Sequence, residues 1–101
     1  MQKNVFKYAL SQSYYGDTQI IGLPKGSEIL HADLQYGYPT IWVLQPTNEF
    51  RMDSIAITSV LTGMSTSGEF TKADHLGTLL MDGGNFVVHL FIDRAKSTFH
   101  E

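Results

Sequence analysis

Apolar and polar residues alternate along most of this chain. The alternation is broken at short, regular intervals by Gly16-Asp17, Pro24-Lys25-Gly26, Gly37-Tyr38-Pro39, Pro46-Thr47-Asn48, Gly63, Gly68 and Asp82-Gly83-Gly84. A period of two between turn residues predicts β-strands joined by hairpins. In VFKYALSQ, Phe6, Tyr8 and Leu10 share one face and Lys7 and Ser11 the other; TQIIGL predicts a short strand ended by Pro24. EILHADLQYG sets Leu30, Ala32, Leu34 and Tyr36 against His31, Asp33 and Gln35. TIWVLQ follows after a short turn at Gly37, so these two strands are expected to pair antiparallel. EFRMDSIAITSVLTG is long and its apolar parity drifts, which predicts a bulge or bend. GTLLM and FVVHLFI form a last hairpin through Asp82-Gly83-Gly84-Asn85, a tetrad suited to a turn with positive φ. Parity there sends Phe86, Val88 and Leu90 to the core and His89 to the face of Val87 and Phe91. Helical periodicity is nowhere sustained, so at most a short helical turn is expected.

The stretch GMSTSGEFTKADH, from Gly63 to His75, is the only extended irregular segment. Its length is one at which loops are usually functional or mobile; the plainer reading is a solvated crossover between two sheets. The C-terminal DRAKSTFHE reads as a frayed tail or one helical turn. The expected architecture is a single all-β domain over residues 1–101, with a core at 5–92 and a tail at 93–101. Its form is an antiparallel β-sandwich or partly open barrel of about seven short strands with one long polar loop. Short exposed strand edges admit a homodimer by edge or face pairing.

Composition narrows the function classes. A chain of 101 residues fits one domain, and 17 % charged residues is low against an average of ~25 %. Low charge on a small body leaves a fairly apolar surface, often a partner or self-association face. The net charge of −3 argues against broad phosphate-backbone binding, so direct nucleic-acid binding is not expected. Without cysteine there is neither a disulfide scaffold nor a thiolate metal site, which suits a reducing cytosol. MQKNVFKYALSQSYYGD lacks the apolar stretch of a signal peptide, and no run is long enough for a membrane span. The reading is of a soluble, intracellular protein with no membrane partner.

Chemistry is sparse. His31, His75, His89 and His100 show no HxH or HxxxH spacing, so no metal is expected. His31 lies on a polar face, and His89 is expected to be a partly buried imidazole with a hydrogen-bonded partner. No Gly-x-Ser-x-Gly elbow occurs, and Asp33, Asp53, Glu69, Asp74, Asp82 and Asp93 are dispersed. The paired glycines precede no helix, so they form no nucleotide cradle. The expectation is a non-enzyme without a cofactor. Twelve aromatics are many for this length, and Tyr14, Tyr15, Tyr36 and Tyr38 fall in turns. Loop tyrosines offer area and a hydroxyl at low entropy cost, which suits recognition; packing over the sheet ends is the alternative.

Three blocks then occur in order: FKYAL, IIGLPKGSEILHADLQYGYPTIWVLQP and GTLLMDGGNFVVHLF. Together, over residues 6 to 91, they resemble a family of small uncharacterised proteins of tailed bacteriophages and prophages. Members read as a KY-x-L opening, an LP-x-G block leading to a tryptophan, and a closing GT…GG…V-x-H-x-F block. The matching positions are Leu23-Pro24-Lys25-Gly26, Trp42, Gly77-Thr78, Gly83-Gly84 and His89. Where members carry a TGHPI-like stretch, this chain has Thr62-Gly63-Met64-Ser65, so Met64 replaces a histidine. That change weakens an enzymatic role and points to a loop altered for a partner. The resemblance implies a phage setting in the host bacterial cytoplasm. It also implies a non-enzymatic binding protein that counters an antiviral defence, for example an anti-CRISPR-type inhibitor occluding a host effector. The alternatives are a sponge for a cyclic-nucleotide or ADP-ribose signal, for which Lys25, Arg51, Lys72 and Arg94 could supply cations, and a virion or assembly component. The expected contact surface comprises Tyr14, Tyr15, Tyr36 and Tyr38, and the loop residues Met64, Ser65, Glu69, Phe70, Lys72, Asp74 and His75.

Overall fold

The computed structural model describes residues 2–11 and 17–100; Tyr14 and Tyr15 lie outside the described residues. Seven strands form: β1 (Lys3–Ala9), β2 (Thr18–Pro24), β3 (Glu28–Gln35), β4 (Tyr38–Pro46), β5 (Met52–Leu61), β6 (His75–Met81) and β7 (Phe86–Ile92). They make two antiparallel sheets, β1-β4-β3 and β2-β5-β7-β6, packed as a sandwich that is not a closed barrel. The expected all-β sandwich is therefore the fold. Among the described residues no helix is long and apolar enough to cross a membrane.

The two hairpin turns follow from their residues. β3 and β4 are joined by Tyr36 (φ 53°) and Gly37 (φ 80°), two consecutive positive-φ residues that match the right-handed twist of the strands. A tyrosine at such a position is uncommon, and this one is 89 % exposed. The β6–β7 turn uses a short 3₁₀ turn, Asp82–Gly84, in which all three residues have positive φ.

Core faces follow strand parity, with three corrections. Ile41 and Val43 from β4 face Ile55, Ile57, Leu79, Val88 and Leu90 from the other sheet, all within one buried cluster. Burying each such side chain contributes roughly 1.5–3 kcal/mol. In β3 the register slips between Ile29 and His31, so the extra Leu30 is turned out of the core and left 53 % exposed. Ile29, Ala32 and Leu34 face inward instead, because a bulge reverses parity at one point. The expected bulge in β5 is absent, and its pairing with β2 and β7 is unbroken. Its parity drifts because it is covered on both faces: Ile55 and Ile57 point into the core, while Ala56 and Thr58 are buried on the other side. Phe86 is inward by parity yet 37 % exposed, since it starts its strand beside the turn.

The C-terminal tail covers part of that other side. Asp93 caps a 3₁₀ turn at Arg94–Lys96, Ser97 Oγ accepts from the Ala56 N–H at 2.9 Å, and Thr98 bridges to Ser54. The His100 N–H donates to Asp53 Oδ1 at 2.7 Å. The tail is thus neither frayed nor separate from the sheet, and the one helical turn anticipated is the 3₁₀ turn.

One side of the sandwich is drawn together where β6 meets β3. A Cβ added at Gly77 would stand 2.7 Å from the Ala32 carbonyl oxygen, which is backbone and cannot swing away. Gly77→Ala is expected to lower unfolding free energy by about 1–3 kcal/mol through this overpacking, read from urea denaturation. An unchanged midpoint would show that the two edges can part at no cost.

Candidate functional site

β5 and β6 are both antiparallel to β7, which lies between them. The chain therefore leaves the end of β5 and returns the length of the sheet before β6 begins. Residues 62–74 make this return across the outer face of β7, where Val87, His89 and Phe91 point. The segment Gly63–His75 is a crossover within one sheet, and not between two. Phe70 anchors it by stacking on Phe91, with ring centroids 4.4 Å apart. At its far end Thr71 caps a 3₁₀ turn, Lys72–Asp74, in a reciprocal box: Thr71 Oγ1 accepts from the Ala73 N–H, and Asp74 Oδ2 accepts from the Thr71 N–H. Arg94 Nε donates to Asp74 Oδ1 at 2.8 Å and ties the turn to the C-terminal tail.

Between the crossover and the sheet lies an open cleft of about 660 Å³. Its floor is Val60, Leu61, His89 and Phe91; its rim carries Met64, Thr66, Phe70, Lys72 and His75. A hydrogen-bonded chain crosses the cleft. Thr62 Oγ1 is 2.8 Å from His89 Nε2, His89 Nδ1 is 3.0 Å from Thr78 Oγ1, and Thr78 Oγ1 is 3.0 Å from His75 Nε2. The register that sets Thr78 opposite His89 creates the middle link. The Thr78 hydroxyl has one proton, so it donates to one imidazole and accepts from the other. The chain is consequently ordered in one direction throughout. His75 also meets Phe91 edge-on at 5.3 Å, so the imidazoles and phenyl rings form one continuous aromatic surface.

The residues anticipated from sequence divide. Met64, Phe70, Lys72 and His75 line the cleft, whereas Ser65, Glu69 and Asp74 do not. Asp74 serves instead as an anchor. Tyr36 and Tyr38 belong to the other sheet, where with Lys7, Ala9, Gln35 and Thr40 they line a separate depression of about 410 Å³. His89 and Phe91, read from sequence as packing residues, prove to be the floor of the cleft. His89 is half-buried with two hydroxyl partners, as its parity suggested. Among the described residues no group of three or more His, Cys, Asp or Glu side chains could hold a metal ion.

An antiparallel sandwich with a crossover-roofed cleft is the class this geometry defines. The chain belongs to the family described as Domain of unknown function (DUF7352), which matches residues 1–99. No curated protein and no solved structure matches it.

Two outcomes are expected. Thr78→Val should change the imidazole ¹⁵N signals of both His75 and His89, whereas Thr62→Val should change those of His89 first; unchanged spectra would show that the hydrogen-bonded chain does not persist in solution. Arg94 and the Thr71 N–H hold the Asp74 carboxyl below its ordinary value. Its anchoring is therefore complete above the usual carboxylate range, about pH 4, and is lost as pH falls through the folded value. Amide exchange at Thr71 should accelerate across that fall, and Asp74→Asn should abolish the transition.

Proposed function

We propose that this is a phage-encoded, non-catalytic binding protein that acts stoichiometrically on a host defence protein. Its contact surface is the 62–74 crossover with the cleft beneath. The observation that carries the binding role is the arrangement around His89. Both of its ring nitrogens are engaged by threonine hydroxyls, which hold the imidazole in place on the cleft floor. It serves as a fixed wall beside Phe91. On the crossover, Asp74 is committed to Arg94 and to the Thr71 N–H. The phage setting rests on the resemblance of the KYAL, LPKG and GT…GG…VVHLF blocks.

A protein partner is favoured over a phosphorylated signal by the placement of the cations. Arg51 makes a two-pronged pair with Glu49, and Arg94 is held by Asp74. Among the described residues Lys72 is the one lysine or arginine lining the cleft. A free nucleotide needs several converging donors, whereas a mixed rim of Met64, Phe70, Thr66 and His75 with one lysine suits a partner's side chains.

The test is expression in host strains that each carry one defence system, followed by phage challenge. Wild type should raise plaque numbers in one strain, and Met64→Asp with Lys72→Glu should remove the effect without altering the melting temperature. A fixed copy number in purified virions and no protection in any strain would overturn the proposal. A thermal shift with a cyclic nucleotide or an ADP-ribose derivative would replace it with the sponge reading.

A further inference from the structure

The outer face of the three-stranded sheet, on the opposite side of the sandwich from the cleft, is apolar along its middle and oppositely charged along its two sides. β4 presents Trp42 and Leu44 there, with the half-exposed Val5 beside Leu44. Lys3 and Lys7 share this face along β1, paired with Pro46 and Trp42. Glu28 and Asp33 share it along β3, paired with Leu44 and Thr40, with His31 between them beside Trp42. Their present partners are slight. Lys7 Nζ reaches over β4 to donate to Gln35 Oε1 at 2.7 Å, and Asp33 stands 3.5 Å from His31 with both side chains largely exposed. Exposed pairs of this kind contribute little and exchange readily.

We propose that this face is the interface of a homodimer, in which two copies pack their three-stranded sheets together about a twofold axis running along β4. That axis lays β1 of each copy over β3 of the other. Lys7 then lies over His31 with Glu28 and Asp33 on either side of it, Lys3 flanks Glu28, and both sets of contacts occur twice by symmetry. Trp42 and Leu44 meet their own counterparts at the centre, in aligned sheet-on-sheet packing. A twofold axis across the strands would instead set lysine against lysine and acid against acid, so the charge pattern selects the first arrangement. With strands ~4.8 Å apart and ~3.3 Å per residue, the strand-bearing part of the face spans roughly 14 by 23 Å. Tyr38 extends it at the hairpin end, and the dimer belongs at the small, weak end of specific interfaces. The cleft stays open in both copies.

Sedimentation equilibrium on the whole chain tests this. Wild type should pass from monomer to twice that mass as concentration rises through the micromolar range. Fluorescence of Trp42, the only tryptophan, should shift in parallel. Lys3→Glu with Lys7→Glu should be monomeric, as should Glu28→Lys with Asp33→Lys, since each makes both sides of the face alike in charge. Mixed in equal amounts, these two variants should associate with each other. Each variant's melting temperature, read alone, shows that it is folded. A wild type that stays monomeric at several hundred micromolar, folded variants that self-associate like wild type, or a mixture that stays monomeric would each overturn the proposal.

Discussion

β5 and β6 run in the same direction with β7 between them, and this constraint shapes much of what is chemically distinctive about the molecule. Strands related in this way cannot be joined by a tight turn, so the chain must cross the sheet. The crossover covers β7 only partly, because Phe70 fixes it at Phe91 while Asp74 and Arg94 fix its far end. The cleft is what stays open beside these attachments, between the earlier part of the crossover, Thr62 to Gly68, and the strand floor of His89 and Phe91. His89 would face open solvent in a sheet without that crossover; beneath it, the ring is half-buried and held by two threonines.

The edge of the sandwich where β6 meets β3 obeys a different constraint. Gly77 passes so close to the Ala32 carbonyl that a Cβ there would stand 2.7 Å from its oxygen. Gly77 also follows the register shift that places Leu76 against the core. The Gly77-Thr78 pair therefore joins two roles in adjacent residues of this chain. Gly77 lets the sheets close, and Thr78 links the histidines on the outer face.

Much of the fold was legible in the sequence because hairpins are local. Tyr36-Gly37 and Asp82-Gly83-Gly84 mark their turns through backbone conformations that few residues adopt, and alternation assigned Ala32, Val88 and Leu90 to the core. What was not legible depended on non-local pairing. The drift in β5 reads as a bend until its second buried face, supplied by Ser97 and its neighbours, is known. Leu30 breaks parity through a bulge that no residue in EILHADLQ announces. The site was half visible for the same reason. Met64, Phe70, Lys72 and His75 lie on the loop that the sequence singled out, but His89 and Phe91 join them only because the crossover passes over β7.

The hydrogen-bonded chain carries a further consequence. With neutral rings, if His75 donates from Nε2 to Thr78, its Nδ1 is left as an acceptor, and Thr62, receiving a proton from His89, keeps its own hydroxyl hydrogen free. If the order reverses, His75 exposes a donor and Thr62 an acceptor. The two termini of the chain are thus always of opposite character. The two ends of the chain are one donor and one acceptor in either order, which is the hydrogen-bonding complement of a carboxamide or a peptide group.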